Sequence, residues 1–85
     1  MPPELELYKK HILRRLFTRR KIGELYTQKE LMMNGLPSHM KNMKLIEAAI
    51  KELVKQRWLE LHKNSACISI HYENLDEVKK YLGIL

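Results

Sequence analysis

Lys41, Lys44, Lys51 and Lys55 recur along residues 40–57 at spacings of three, seven and four, which on a helix gathers them along one side. Ammonium groups are full positive charges with three donors each, and their chemistry is the capture of anions. The small Ala48 sits in their midst, so a backbone carrying this stripe can come close to a polyanion. The commonest polyanion of matching shape is the DNA major groove. Ile46, Ile50, Leu53 and Val54 fall on the opposite side of the same helix and are built for a core.

Other chemistries find less support. The sequence has no Gly-rich phosphate loop, no nucleophile elbow and no Ser, His and Asp set at a recognisable spacing, so catalysis is not expected. One cysteine, Cys67, and scattered histidines fall short of the four closely spaced ligands of a structural zinc site, and neither a metal nor a cofactor is expected. Cys67 reads instead as a small, partly buried hydrophobe. Met32, Met33, Met40 and Met43 read first as gap-fillers of a core, with a partner surface as the alternative. Lys9, Lys10, His11, Arg14, Arg15, Arg19, Arg20 and Lys21 form a second basic run with no acid among them. It complements a helix dipole or meets phosphate or a membrane surface.

Composition sets the frame. A chain of 85 residues suits one domain, residues 1–85, of modest stability. With 45% hydrophobic and 31% charged residues it has an ordinary globular mix rather than a disordered one. Sixteen Lys and Arg against ten acids leave a formal charge of +6, which points to an anionic partner. No apolar run reaches the ~18 residues of a membrane span, and Met1-Pro2-Pro3-Glu4 does not open a signal peptide. A single cysteine suits a reducing compartment, so the expected location is the cytoplasm.

The elements that must position these residues follow from periodicity. A first helix is predicted over residues 3–20, with Leu5, Tyr8, Ile12, Leu13, Leu16 and Phe17 inward and Leu7 an outward exception. Residues 22–26 form a short connection with the character of a strand stub. Thr27-Gln28-Lys29-Glu30 has the spacing of a capping box and opens a second helix over residues 28–33. Asn34-Gly35 stops it. The third helix begins between Ser38 and Asn42, either of which can cap it, and ends near Arg57. A hairpin follows: with Asn64-Ser65 as a two-residue turn, Leu61 faces Ile68 and Leu59 faces Ile70, while a three-residue loop stays open. Asn74 to Glu77 starts a last helix carrying Leu75, Val78, Tyr81 and Leu82.

This order resembles the winged helix-turn-helix family. The resemblance rests on Tyr26-Thr27-Gln28-Lys29-Glu30-Leu31 and on Ala49-Ile50-Lys51-Glu52-Leu53 running on to Trp58-Leu59-Glu60. The family's second helix carries Glu-Leu near its start, and its third ends in Ile-x-x-Leu followed by a bulky residue that begins the hairpin. It implies an α+β fold, mostly α: a three-helix core, a short two- or three-stranded hairpin wing and an extra C-terminal helix. Leu31 and Ile46 would meet where the second and third helices cross. The segment from Asn34 to Lys41 is longer than the family's tight turn, and the wing lacks the family's cluster of Arg and Lys.

The resemblance implies binding of double-stranded DNA, as a small sequence-specific transcriptional regulator whose third helix enters the major groove. Lys44, Lys51 and Lys55 would meet phosphates, and Lys41 belongs to the same DNA-binding set. Ser38, His39, Asn42 and Glu47 would be placed for base edges. Thr27 and Gln28 would anchor a phosphate through backbone N–H groups at a helix start, and Lys63, beside His62, would reach from the wing. One such module gives limited specificity, so a homodimer through the last helix, with Tyr81, Leu82, Ile84 and Leu85, is the expected assembly; the alternative is that this tail covers the hairpin or the first helix. The alternatives are a protein-binding winged-helix adaptor and an RNA-binding component of a ribonucleoprotein, since the fold serves all three.

Overall fold

The computed structural model describes residues 3–84, and at Pro3 the backbone alone. Its fold is α+β and mostly helical, in a winged-helix-like arrangement. The first helix, α1, spans Pro3–Thr18 with Glu4 and Glu6 in its first turn. Leu5, Tyr8, Ile12, Leu13 and Leu16 are buried at the spacing the sequence predicts, and Leu7 stands exposed. The helix stops two residues short of the expected end. Arg20 takes φ +57°, the N–H of Lys21 donates to Leu16 O at 2.8 Å, and that of Arg20 donates to Phe17 O. This is a Schellman closure with arginine in the left-handed position usually held by glycine.

The sheet has the order β1-β3-β2 and is antiparallel throughout. Strand β1 is Thr27–Gln28, β2 is Leu59–His62 and β3 is Cys67–Ile70. The hairpin register is the expected one: Leu61 pairs with Ile68, Leu59 with Ile70 and His62 with Cys67. Asn64 (φ +54°) and Ser65 (φ +70°) make the two-residue turn, closed by Ala66 N–H onto Lys63 O at 3.1 Å. The stub expected at residues 22–26 reduces to one parallel bridge, Ile22 to Ile70.

The capping box is a correction. Thr27 and Gln28 are not the start of a helix but the edge strand β1, paired with Ile68 and Cys67. The following turn, Lys29–Met33, is a 3-10 helix whose first residue is not capped by a side chain. The pairing carries on one residue past the strand, where Lys29 N–H donates to Ala66 O at 3.1 Å. The tighter winding also changes which residue faces inward: Met32 is fully buried and Leu31 is 40% exposed, so Met32 holds the inward position expected of Leu31. Met33, Met40 and Met43 pack against the core as gap-fillers.

The long central helix, α2, spans Met43–Lys55 and is shorter than the expected 40–57 at both ends. Ser38–Met40 forms a separate 3-10 turn, and Asn42, not Ser38, caps α2. The Tyr8 hydroxyl donates to Met40 O at 2.7 Å, tying this long connection to α1. At the other end Arg57 takes φ +62°, with Trp58 N–H on Leu53 O, a second Schellman closure. Ile46, Ala49, Ile50 and Leu53 are buried, and Val54 is half-buried.

The last helix, α3, spans Leu75–Leu82 and packs on α1. Val78 is buried, and Tyr81 and Leu82 are partly buried against the core. Trp58 meets Tyr81 with ring centroids 5.1 Å apart. Lys9 is sealed beneath α3 at 1% exposure, its ammonium 3.5 Å from Glu6 and 6.0 Å from the Tyr81 ring. No helix among the described residues is long and apolar enough to cross a membrane.

Candidate nucleic-acid interface

Helix α2 sorts its residues by side because 3.6 residues make a turn. Its apolar side is spent on α1 and β2, and the remainder faces outward. Lys44, Lys51 and Lys55 lie on that outer side and are exposed, with Lys41 exposed just before the helix. The half-buried Ala48 lies between them. Among the described residues the ion pairs are Lys9–Glu6, Lys29–Glu47 and His71–Glu60, so none of these four ammonium groups is ion-paired there.

The polar residues nominated around the helix fare differently. Ser38 and His39 are exposed on the 3-10 turn that precedes α2. Asn42 has its side-chain oxygen engaged, accepting from Lys44 N at 3.0 Å and Leu45 N at 3.3 Å. That cap occupies the first donors of α2, so a phosphate there would have to displace it. Glu47 is exposed but held by Lys29 at 3.3 Å. Thr27 and Gln28 lie in the edge strand β1 and lead into a 3-10 turn rather than an α-helix, and the next N–H, that of Lys29, donates to Ala66 O.

Around the hairpin the structure brings together residues that are far apart in sequence. Thr27, Gln28 and Lys63 line one shallow concavity with Tyr26, Glu30 and Ala66. Tyr26 stacks on His62 at 4.6 Å, and the Lys63 ammonium lies 5.9 Å from the Tyr26 ring. His62 is fixed in turn by Ser69, whose hydroxyl donates to Gly23 O at 2.7 Å and accepts from His62 Nε2 at 2.9 Å. Tyr26 gave no signal in the sequence as a hairpin residue, since its partner is 36 positions away.

Lys51, Lys55 and Glu47 also rim a groove between α2 and the hairpin, about 650 Å³ in volume. Its floor is apolar: Ala48, Ile50, Val54, Leu5 and Leu61. Leu61 is 44% exposed because the inner face of β2 runs past the end of the core. The lysine side of α2 and an apolar trough thus share one surface.

On the C-terminal helix, Tyr81 and Leu82 serve the chain's own core, Ile84 is 47% exposed, and Leu85 lies outside the described residues. The Tyr81 hydroxyl donates to the Glu6 carboxylate. That bond holds the Glu6 carboxyl below its usual range, while burial, and then Glu6, push the Tyr81 phenol above its own. No cluster of three or more His, Cys, Asp or Glu that could hold a metal ion occurs among the described residues. Comparison of the chain with protein-family models, with curated proteins and with solved structures returned no match.

Proposed function

We propose that the domain binds double-stranded DNA through the outer side of α2, as a small transcriptional regulator acting in the cytoplasm. One observation carries this reading: Lys44, Lys51 and Lys55 stand exposed in line, unpaired by any acid among the described residues, around the small Ala48. A stripe of free ammonium groups beside a low-bulk centre suits a helix pressed toward phosphates. Lys41 ahead of the helix and Lys63 on the hairpin extend the charged surface to either side. Ser38 and His39 are the side chains best placed for base edges, since Asn42 and Glu47 are already engaged. A second copy docked at Ile84 would double the contacts, and sedimentation would report it. The test is a salt titration of duplex affinity. Replacing Lys44, Lys51 and Lys55 together by Ala flattens the slope of log K against log salt by about 2.7. An unchanged slope refutes the α2 face.

A second reading is favoured by the trough beside the lysines. An apolar floor rimmed by both lysines (Lys29, Lys51, Lys55) and acids (Glu47, Glu52) suits the apolar side of an amphipathic helix, which would make the domain a protein adaptor. Leu61→Glu separates the two: it abolishes helix docking and costs duplex affinity only the weak repulsion of one added acid. Competition by structured RNA at matched salt tests the ribonucleoprotein reading, because the narrow A-form major groove does not admit a helix.

A further inference from the structure

The outer side of α1 carries a second basic cluster that the α2 reading leaves unused. His11, Arg14, Arg15, Thr18 and Arg19 follow one another at helical spacing and line a single concavity of about 270 Å³. No acid lines it, and none of its arginines belongs to an ion pair among the described residues. Two of its members are built into the fold. His11 Nε2 donates to Met32 O at 2.7 Å. His11 and Arg15 lie over Gly35: a Cβ there would meet Arg15 Nη1 at 3.1 Å and His11 Cε1 at 3.4 Å. Arg15 Nε is enclosed and has no hydrogen-bond acceptor among the described residues. The Arg15 head group therefore keeps donor capacity unmatched among the described residues, and an arginine cluster finds its best acceptor in a phosphate oxyanion.

We propose that this concavity is a phosphate-binding site and that its occupant is the backbone of a second nucleic-acid segment, so that one domain bridges two. The bridging rests on the reading of α2 given above; the site itself does not. Helices α1 and α2 pack on one another through their apolar sides, so the α1 cluster and the α2 stripe both lie outside that shared face. The domain measures 32 × 29 × 22 Å, and the bridge requires a duplex seated on α2 to leave the α1 cluster open to another. A membrane surface is the weaker occupant, because the apolar side of α1 is consumed by the core and Leu7 alone is exposed on the outer side.

Two measurements test this. In the first, inorganic phosphate is titrated into the ¹⁵N-labelled protein against chloride at equal ionic strength. Saturable shifts at Arg15 Nε–H and at the amides of Arg14 to Arg19 are expected, both in the natural chain and in the Lys44, Lys51 and Lys55 triple Ala variant. Absence of those shifts overturns the site, whatever α2 does. In the second, two duplexes carrying donor and acceptor fluorophores are mixed with the protein. Energy transfer between them is expected, and Arg14→Gln with Arg19→Gln weakens it about ten-fold while single-duplex affinity falls by less than about three-fold. Unchanged transfer in that double variant, or none with the natural chain although it binds one duplex, overturns the bridge. Failure of the α2 reading shows itself separately, as duplex affinity that ignores the triple variant. Circular dichroism of each variant excludes unfolding as the cause.

Discussion

Two sets of lysines in this small domain have opposite fates. Lys9 is shut under α3, 1% exposed, with Glu6 and the Tyr81 ring around it. Lys44, Lys51 and Lys55 stand in solvent and belong to no ion pair among the described residues. The residue type is the same and both sets belong to helices. The difference lies in what covers them: α3 crosses α1, and nothing among the described residues crosses the outer side of α2. Net charge alone therefore says little about which cations are offered to a partner. A sealed lysine contributes to holding two helices together, and an open one is available for binding.

That contrast can be broken most sharply at the open set. The triple Ala variant of Lys44, Lys51 and Lys55 flattens the salt slope by about 2.7 and changes melting free energy by no more than about 0.5 kcal/mol per site, read by calorimetry. The sealed set behaves in reverse. Glu6→Ala leaves the Lys9 ammonium without its acid and destabilises by about 1–2 kcal/mol, reduced from the cost of a fully buried pair because Glu6 is half-exposed. Lys9→Met, which removes the buried charge and keeps the packing, stays within about 1 kcal/mol of the natural chain in urea melts. A Lys9→Met variant as unstable as Glu6→Ala would show the ion pair itself to matter.

Acid sharpens the same comparison. The Tyr81 hydroxyl holds the Glu6 carboxyl below its ordinary range in the folded chain. Its contribution is full above the ordinary carboxylate range and is lost as pH falls through the lowered folded value. Tyr81 runs the other way, its phenol raised by burial and by Glu6, so its share is full below the ordinary phenol range and fades in alkali. Tyr81→Phe therefore flattens the loss of stability between about pH 6 and pH 3 in denaturant melts followed across pH. The smallest effects lie at the helix ends. Asn42→Ala removes the cap of α2 and costs about 1 kcal/mol. Arg57→Gly relieves a left-handed arginine and stabilises by about 0.5–1 kcal/mol in thermal melts.

Much of this was legible in the chain. The inward residues of α1 and α2 and the register of the hairpin follow from periodicities of 3.6 and 2, and all of them recur in the structure. Helix ends were less legible because Arg20 and Arg57 do the work of glycine. The capping box misled for a tertiary reason: Thr27 and Gln28 find partners in Ile68 and Cys67, some 40 positions on, and no local pattern announces them. Of the candidate site, the exposed lysines were legible from the helix period. The engagement of Asn42 and Glu47, the Tyr26–His62 stack and the apolar trough under Leu61 were not, because each depends on contacts between separate elements. Lys9 was the largest miss, since Tyr81 lies 72 positions away.

The sheet has its middle strand last. β3 pairs with β1 on one side and β2 on the other, so neither earlier strand has a neighbour until residues 67–70 exist. On a ribosome, α1 and α2 can form and begin to pair while Thr27 and Gln28 wait as loose chain. Closure of the sheet fixes the 21–28 segment across some 40 positions of sequence, the kind of long-range pairing whose loop-closure cost slows folding.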